Sequence, residues 1–242
     1  MTFPELILFD FGNTLMYEDG VSNLRGYREI FRHVTKNPRS CTPEDLDKFG
    51  GRLFWKLACA RENNYEPKMI EVNRLQYEYF GLEFDIPPSE LELIFWKSAA
   101  PAYQMPETSE MLSEVKRLGI RTAVVSNLGW SGRSLEARIN ECLPENDLEF
   151  VITSSDHVFR KPDSIIYELA LRKANVPAEK TWFCGDTVDA DLGGAHNVGI
   201  FPVWYDEKTI PVTWREPQKA PGFEHLRITK WSEMTEILKK MK

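Results

Sequence analysis

The sequence predicts an α/β fold in which a doubly wound parallel sheet carries an inserted all-helical cap domain. The first observation is a series of short, wholly apolar runs, which are typical of parallel strands covered by helices on both faces. The second is that helical patterns separate the later runs, the order expected of right-handed βαβ units. The third is a stretch from about residue 21 to residue 100 in which amphipathic helical patterns replace the apolar runs.

The predicted sheet rests on five apolar runs, at residues 6–9, 122–125, 150–153, 182–184 and 200–204. Helical patterns accompany the later runs, at residues 108–118, 164–173 and 189–197. Because strand and helix alternate at this spacing, we expect parallel strands with helices on both faces of the sheet.

The inserted segment carries helical patterns at residues 27–34, 46–61 and 72–80. Thr42 followed by Pro43 predicts the start of one helix, since threonine is a frequent N-cap and proline fits the first helical position. Ser89 predicts a similar start. Trp55, Trp96 and the phenylalanines of the segment are predicted to form its own core.

The predicted domain boundaries follow from this change of pattern. We assign residues 1–16 and 104–242 to the core domain that contains the sheet, and residues 17–103 to the helical cap. Prolines at both ends of the last cap helix mark the return of the chain to the sheet.

Composition limits the classes of partner. The chain has 242 residues, 42% of them hydrophobic, and a formal net charge of −7, so an acidic surface disfavours binding to nucleic acid. No apolar run approaches the ~20 residues that span a bilayer, and the opening residues lack the pattern of a signal peptide, so we predict a cytoplasmic protein that does not bind membranes. The oligomeric state is not predicted.

The four cysteines are scattered and form no CxxC pair, so neither a zinc site nor a disulfide framework is expected. Free cysteines are often buried, and we predict that these are small core residues.

Polar residues follow the predicted strands where the strands end. Since ligands bind at the carboxyl ends of the strands in such sheets, we expect these residues to converge. A lysine, a hydroxyl and several carboxylates at one edge indicate a site for a phosphate and a divalent metal. The candidates are Asp10, Ser126, Asn127, Lys161, Asp186 and Asp191.

Each residue type has a chemical role in such a site. Asp10 can attack phosphorus to form an acyl phosphate. Mg²⁺ prefers oxygen ligands, which Asp10 and Asp186 supply. Ser126 and nearby backbone amides, including that of Asn127, can bind phosphate oxygens, while Lys161 offsets the negative charge.

In order and in spacing, these segments resemble the four motifs of the haloacid dehalogenase superfamily of hydrolases. The first motif, D-x-D-x-T, is matched by Asp10 and Thr14, and the remaining three by Ser126, by Lys161, and by Gly185, Asp186 and Asp191. The resemblance implies a helical cap, bound Mg²⁺ and a small-molecule phosphate substrate. It also implies that Asp10 is nucleophile and metal ligand, that the backbone carbonyl of Gly12 and Asp186 are further ligands, and that Asp191 coordinates through water or braces Asp186 and Lys161.

Position 12 departs from the family pattern. Gly12 stands where most phosphatases of the family carry the aspartate that protonates the leaving group, and losing a general acid typically costs ~10²–10⁴ in rate. The expected function is a Mg²⁺-dependent phosphatase that favours acidic leaving groups. Two alternatives stay open: a metal-independent 2-haloacid dehalogenase, which needs no such acid, and a catalytically weak binding or regulatory protein.

Overall fold

The structure is a computed structural model that describes residues 1–210 and 218–242. Its strands are β1 (Leu6–Phe9), β2 (Met16–Glu18), β3 (Val34–Lys36), β4 (Glu83–Phe84), β5 (Ala102–Gln104), β6 (Arg121–Ser126), β7 (Leu148–Thr153), β8 (Thr181–Gly185), β9 (Phe201–Tyr205) and β10 (Leu226–Ile228). Its α-helices are α1 (Asn23–Ile30), α2 (Pro43–Lys56), α3 (Ala58–Glu62), α4 (Met69–Phe80), α5 (Pro88–Ala99), α6 (Thr108–Arg117), α7 (Gly132–Cys142), α8 (Ser154–His157), α9 (Ser164–Ala174), α10 (Gly194–Asn197) and α11 (Trp231–Met241).

The main sheet has six parallel strands in the order β10-β9-β8-β1-β6-β7. The chain runs from β1 out to β6 and β7 and then continues in β8 on the other side of β1, which makes the sheet doubly wound and confirms the predicted fold class. Every side chain of β1 is fully buried, as expected for a central strand covered on both faces.

The five predicted strands of the sheet are confirmed to within two residues at each end. The edge strand β10 and the helices α7, α8 and α11 were not predicted. β10 has only three residues, and its burial is uneven, so it lacks a wholly apolar run. The predicted helix at residues 189–197 is divided into a π-helical stretch, Val188–Gly193, and α10.

The segment between β2 and β5 is mainly helical, with an apolar core that includes Tyr27, Leu46 and Phe95. α2 begins as predicted: Thr42 is the N-cap, and its side chain and that of Asp45 form a reciprocal capping box. The segment also contains the antiparallel pair β3 and β4, which the helical patterns did not predict.

The predicted core role of Trp55 is wrong. Trp96 is buried, but Trp55 is 76% exposed and Phe54 beside it is 51% exposed. The helical pattern places both residues on α2, but periodicity does not show whether a helix face meets a neighbour.

An antiparallel ribbon joins this segment to the core. β2 pairs with β5, so that Tyr17 lies opposite Tyr103 and their rings are 5.5 Å apart. The predicted boundaries at residues 16/17 and 103/104 fall inside this ribbon, and they stay a prediction. Backbone hydrogen bonds also connect the segment to core loops, among them one of 2.8 Å from the Met69 N–H to the Gly129 carbonyl.

The cysteines are all free, but not all are buried. Cys41 and Cys184 are buried, Cys142 is half-buried and Cys59 is exposed, so the prediction of burial is confirmed for two cysteines and wrong for Cys59. Among residues 1–210 and 218–242, no helix has the length and apolar character that crossing a membrane requires.

Candidate active site

The carboxylates of Asp10 and Asp186 lie at the carboxyl ends of the neighbouring strands β1 and β8. The two strands are in register, with Phe9 opposite Cys184, and the Asp10 N–H donates to the Cys184 carbonyl at 2.9 Å. Asp10 is 8% exposed and Asp186 5% exposed. The parallel sheet therefore brings together two residues that are far apart in sequence, at the point where the strand order reverses.

Lys161 reaches this edge from the loop after α8. Its ammonium donates to the Oδ1 of Asp10 at 2.7 Å and to the Oδ1 of Asp191 at 2.6 Å. Burial alone would lower the pKa of Lys161, but the Asp10 and Asp191 carboxylates outweigh burial and raise the pKa. Lys161 is therefore a charged lysine held between two of the predicted site carboxylates.

Asp191 lies in the π-helical turn after β8, and both its carboxylate oxygens are engaged. Oδ1 accepts from Lys161, and Oδ2 accepts from the Thr187 N–H at 2.9 Å. The pKa of Asp191 is raised to about 7, mainly by burial; the Lys161 ammonium lowers it, and the Asp10 and Asp186 carboxylates raise it further. A Cβ at Gly185 would lie 2.4 Å from the Asp191 carboxyl group, which explains the glycine of this motif.

The three aspartates meet closely enough to hold one ion. Asp10, Asp186 and Asp191 each offer a carboxylate oxygen, and these atoms lie within 4.8 Å of one another. All three residues are buried, and buried carboxylates that approach one another this closely favour a cation between them. An all-oxygen donor set of this kind fits Mg²⁺ better than zinc, which prefers nitrogen and sulfur ligands.

Ser126 and Asn127 are placed at the same edge, at the end of β6. The Asn127 side chain forms a reciprocal pair with the backbone of Lys161: its Nδ2 donates to the Lys161 carbonyl at 2.8 Å and its Oδ1 accepts from the Lys161 N–H at 2.7 Å. This pair fixes the loop that carries the lysine. A phosphate contact from Asn127 is then expected from its backbone N–H rather than from its side-chain Nδ2, which already donates to Lys161.

The loop after β1 has an open position at Gly12. The Gly12 backbone does not adopt positive φ, and a Cβ there would meet no atom within 4 Å. Asn13 takes the left-handed conformation of this loop instead, with φ of +55°. The hydroxyl of Thr14 is buried and has no hydrogen-bond partner in the part of the chain that the structure describes.

One cavity of about 810 Å³ is lined by every candidate residue of the site, and also by residues that sequence reasoning missed. The candidates that line it are Asp10, Gly12, Ser126, Asn127, Lys161, Asp186 and Asp191. Glu18, from the ribbon strand β2, lines the cavity, as do Arg160, Gln218 and Lys219. Gln218 braces the site, because its Nε2 donates to the Asp186 carbonyl at 2.8 Å. Arg160 could have been found as the neighbour of Lys161, whereas nothing local to Glu18 or Gln218 in the sequence indicates a site.

Glu18 is a carboxyl group of the cavity that lies outside the aspartate cluster. Its position raises the question of whether it is the general acid that protonates the leaving group. Its Oε1 accepts from the Trp96 Nε1 at 2.7 Å and lies 3.4 Å from a guanidinium nitrogen of Arg138. Burial raises the pKa of Glu18, while Arg138 and the Trp96 hydrogen bond lower it. Because Arg138 is itself buried, we assign Glu18 the role of its counter-ion.

A sequence profile of the haloacid dehalogenase-like hydrolases matches residues 4–199, most of the chain. The chain belongs to this family. The match confirms the resemblance drawn from the four motifs and establishes the chain as a hydrolase of the haloacid dehalogenase superfamily.

Named relatives of this haloacid dehalogenase-like hydrolase include phosphatases. Haloacid dehalogenase-like hydrolase domain-containing protein 3 of Xenopus laevis is 32% identical over 172 residues, which cover 69% of each chain. The glyceraldehyde 3-phosphate phosphatase of Pyrococcus abyssi is 29% identical over 158 residues, 59% of this chain and 66% of that one.

Among solved structures, a 2-haloacid dehalogenase from Pseudomonas syringae pv. Tomato DC3000 superposes on the hydrolase with a TM-score of 0.64. It covers 99% of this chain and 100% of that chain at 19% identity. This likeness shows the shared fold and leaves the reaction to be argued from the site.

Proposed function

We propose that the protein is a Mg²⁺-dependent phosphatase that cleaves a small-molecule phosphate through an aspartyl phosphate on Asp10. The observation that carries the proposal is the buried convergence of Asp10, Asp186 and Asp191, with Lys161 bound to two of them. The phosphatases among the curated relatives support the same reaction class.

The aspartate cluster favours phosphoryl transfer over dehalogenation. Displacing a halide from carbon needs a nucleophilic carboxylate but neither a metal nor a second and third carboxylate beside it. A phosphate ester, by contrast, brings its own negative charge to Asp10, and that charge has to be offset before the carboxylate can approach phosphorus. Asp186 has a purpose as a metal ligand only in the second case, whereas Asp191, which also holds Lys161, would serve either reaction.

In the first step, a carboxylate oxygen of Asp10 forms a bond to phosphorus while the bond from phosphorus to the leaving oxygen breaks. The leaving oxygen keeps the electron pair of that bond. Since Gly12 supplies no acid, the leaving group departs with its negative charge unless solvent protonates it. Leaving groups that are already acidic are therefore expected to react fastest.

Lys161, Ser126 and Asn127 position the phosphate for this step. The Lys161 ammonium holds the Asp10 carboxylate by one oxygen and leaves the second oxygen to act as nucleophile. The Ser126 hydroxyl and the backbone N–H of Asn127 are proposed to donate to phosphate oxygens.

In the second step, water attacks phosphorus, the bond to Asp10 breaks, and the free carboxylate is regenerated.

We assign the Mg²⁺ ligands to the Asp10 and Asp186 carboxylates and the Gly12 carbonyl. Asp191 is proposed to act through water or as a brace, because Lys161 and Thr187 already occupy its oxygens. When bound, the ion offsets negative charge on the transferring phosphoryl group.

The proposed setting is cytoplasmic, with a small-molecule substrate and neither nucleic acid nor membrane as a partner. The acidic net charge of the chain argues against nucleic acid as a partner.

The deciding experiment is a panel of aryl phosphates, acyl phosphates, sugar phosphates and 2-haloacids, assayed with Mg²⁺ and with excess chelator. Phosphatase activity that disappears with chelator and returns with Mg²⁺ supports the proposal. Asp10→Asn should abolish turnover and retain the fold. Asparagine is the matched control because its side-chain oxygen can still accept the Lys161 hydrogen bond.

The same panel separates the alternatives. Release of halide in the presence of chelator would establish the dehalogenase. Absence of turnover on the whole panel, with equal ligand binding by the parent and Asp10→Asn, would establish a binding or regulatory protein.

A further inference from the structure

A second cavity of about 420 Å³, here called the cap cavity, lies between the cap helices and the loop after β6. Asn127, Leu128 and Arg160 line both this cavity and the active-site cavity. A molecule with its phosphate at Asp10 can therefore extend its leaving group into the cap cavity.

The walls of the cap cavity are mostly apolar and partly aromatic. Ligand sites in proteins typically combine such walls with a few polar groups that orient the ligand. The apolar lining includes Phe54, Leu57, Met69, Val72, Phe95 and Trp130.

A glycine of α2 leaves space in this cavity. Gly50 and Gly51 lie in the interior of α2, where glycine is unfavourable relative to alanine. Packing explains Gly50, since a Cβ there would lie 2.5 Å from the Tyr27 hydroxyl oxygen. Gly51 lines the cap cavity, and a Cβ there would meet no atom within 4 Å. The protein's own packing gives no reason for Gly51, whereas a ligand in the cavity does.

Arg61 and Arg160 bring positive charge to the same cavity. The Arg61 Nε donates to the Oε1 of Glu66 at 3.2 Å, and the Arg61 guanidinium carbon lies 4.6 Å from the centre of the Phe54 ring. Arg160 binds the other carboxylate oxygen of Glu66, so this one carboxylate faces two guanidinium groups that both line the cavity. A negatively charged group on the ligand would offset the positive charge that remains.

We propose that the cap cavity binds the leaving group, and that the substrate class is a phosphate ester whose leaving group carries a planar apolar ring with an anionic acceptor, bound by Arg61. The proposal rests on the proposed phosphatase function. The lack of a general acid at Gly12 supports the proposal independently. A phosphate attached directly to an aromatic ring has an acidic leaving group, which needs no general acid.

The first test compares benzyl phosphate with ethyl phosphate. Both release an alkoxide, so the difference between them reports the ring rather than general-acid catalysis. Burying a phenyl ring should raise kcat/KM by about 10- to 100-fold. Gly51→Leu, which places a side chain in the cavity, should lower kcat/KM for benzyl phosphate at least about fivefold more than it lowers kcat/KM for ethyl phosphate. Lys48→Leu places the same side chain on an exposed part of α2 outside the cavity and should change neither rate.

The second test concerns Arg61. The parent should prefer 4-carboxybenzyl phosphate to benzyl phosphate, and Arg61→Met should lose that preference while it retains the preference for benzyl over ethyl phosphate. Equal kcat/KM for ethyl and benzyl phosphate would overturn the proposed leaving-group site and leave the phosphatase intact.

A binding measurement separates this inference from the phosphatase proposal. The non-hydrolysable 4-carboxybenzylphosphonate, titrated by calorimetry, should bind the parent and Lys48→Leu and bind Gly51→Leu at least about fivefold more weakly. If no ester is hydrolysed but this pattern holds, the binding site stands and the phosphatase proposal fails. Equal affinity of all three proteins would overturn the site.

Discussion

Gly12→Asp restores the missing acid at a position that can accept it. A Cβ at residue 12 meets no atom within 4 Å, and the backbone there does not need the positive φ that glycine alone adopts cheaply. We expect the variant to gain an appreciable part of the ~10²–10⁴ in rate that general-acid catalysis supplies, equivalent to about 2.7–5.4 kcal/mol of activation free energy. The gain should be confined to poor leaving groups such as sugar phosphates.

The substitution also adds negative charge to the cavity. At a separation of about 6 Å and an effective dielectric constant of about 20, the repulsion between two carboxylates is about 3 kcal/mol. This repulsion lowers the free energy of unfolding in the absence of Mg²⁺, but it also raises the pKa of the new acid and keeps its proton available. The variant should therefore be less stable than the parent without Mg²⁺ and regain stability with it.

The assay is the dependence of kcat/KM on leaving-group pKa across aryl and alkyl phosphates. The parent should show a steep dependence and Gly12→Asp a shallow one, while Gly12→Asn, which has the same size but no acidic proton, should behave like the parent. A flat dependence in the parent, with chemistry shown to be rate-limiting, would refute the reasoning. So would equal behaviour of the Asp and Asn variants.

Three further predictions concern the charged groups of the site. Saturating Mg²⁺ should stabilise the parent by about 3 kcal/mol at 100 times its Kd, and Asp186→Asn should lose most of this effect in thermal unfolding. Glu18→Gln leaves the buried Arg138 without its counter-ion and should lower the free energy of unfolding by about 1–3 kcal/mol, without changing the leaving-group dependence. Gly185→Ala pushes a methyl group against Asp191 and should lower stability by about 1–3 kcal/mol as well as activity.

Each of these three has an outcome that contradicts it. Equal stabilisation of parent and Asp186→Asn by Mg²⁺ would place the ion elsewhere. A steeper leaving-group dependence in Glu18→Gln would make Glu18 the acid rather than a counter-ion. For Gly185→Ala the control is Gly222→Ala, where a Cβ meets no atom within 4 Å, and equal effects of the two would remove the packing argument.

The sheet and the core of the site could be predicted because their causes are local. A strand buried on both faces reads as an apolar run, and in a parallel sheet the residue that follows each run arrives at one edge. Asp10 and Asp186 were found in this way, and the structure places them on neighbouring strands.

Other features depend on contacts between distant segments, which the sequence pattern does not contain. Glu18 reaches the cavity because β2 pairs with β5, although short strands of mixed polarity carry no periodic signal. Trp55 has the pattern of a core residue but is exposed. In the sequence, Gly51 indicates only a residue that destabilises a helix. The structure shows that it lines the cap cavity.

The most direct test of the proposed reaction is to trap the phosphoryl group on the protein. The parent, mixed with Mg²⁺ and a phosphorus-labelled aryl phosphate and quenched in acid during turnover, should carry label on the peptide that contains Asp10. The label should be released by hydroxylamine, as an acyl phosphate is, and it should be absent from Asp10→Asn and from samples in excess chelator. Turnover without label on that peptide, or label that persists in Asp10→Asn, would contradict the account.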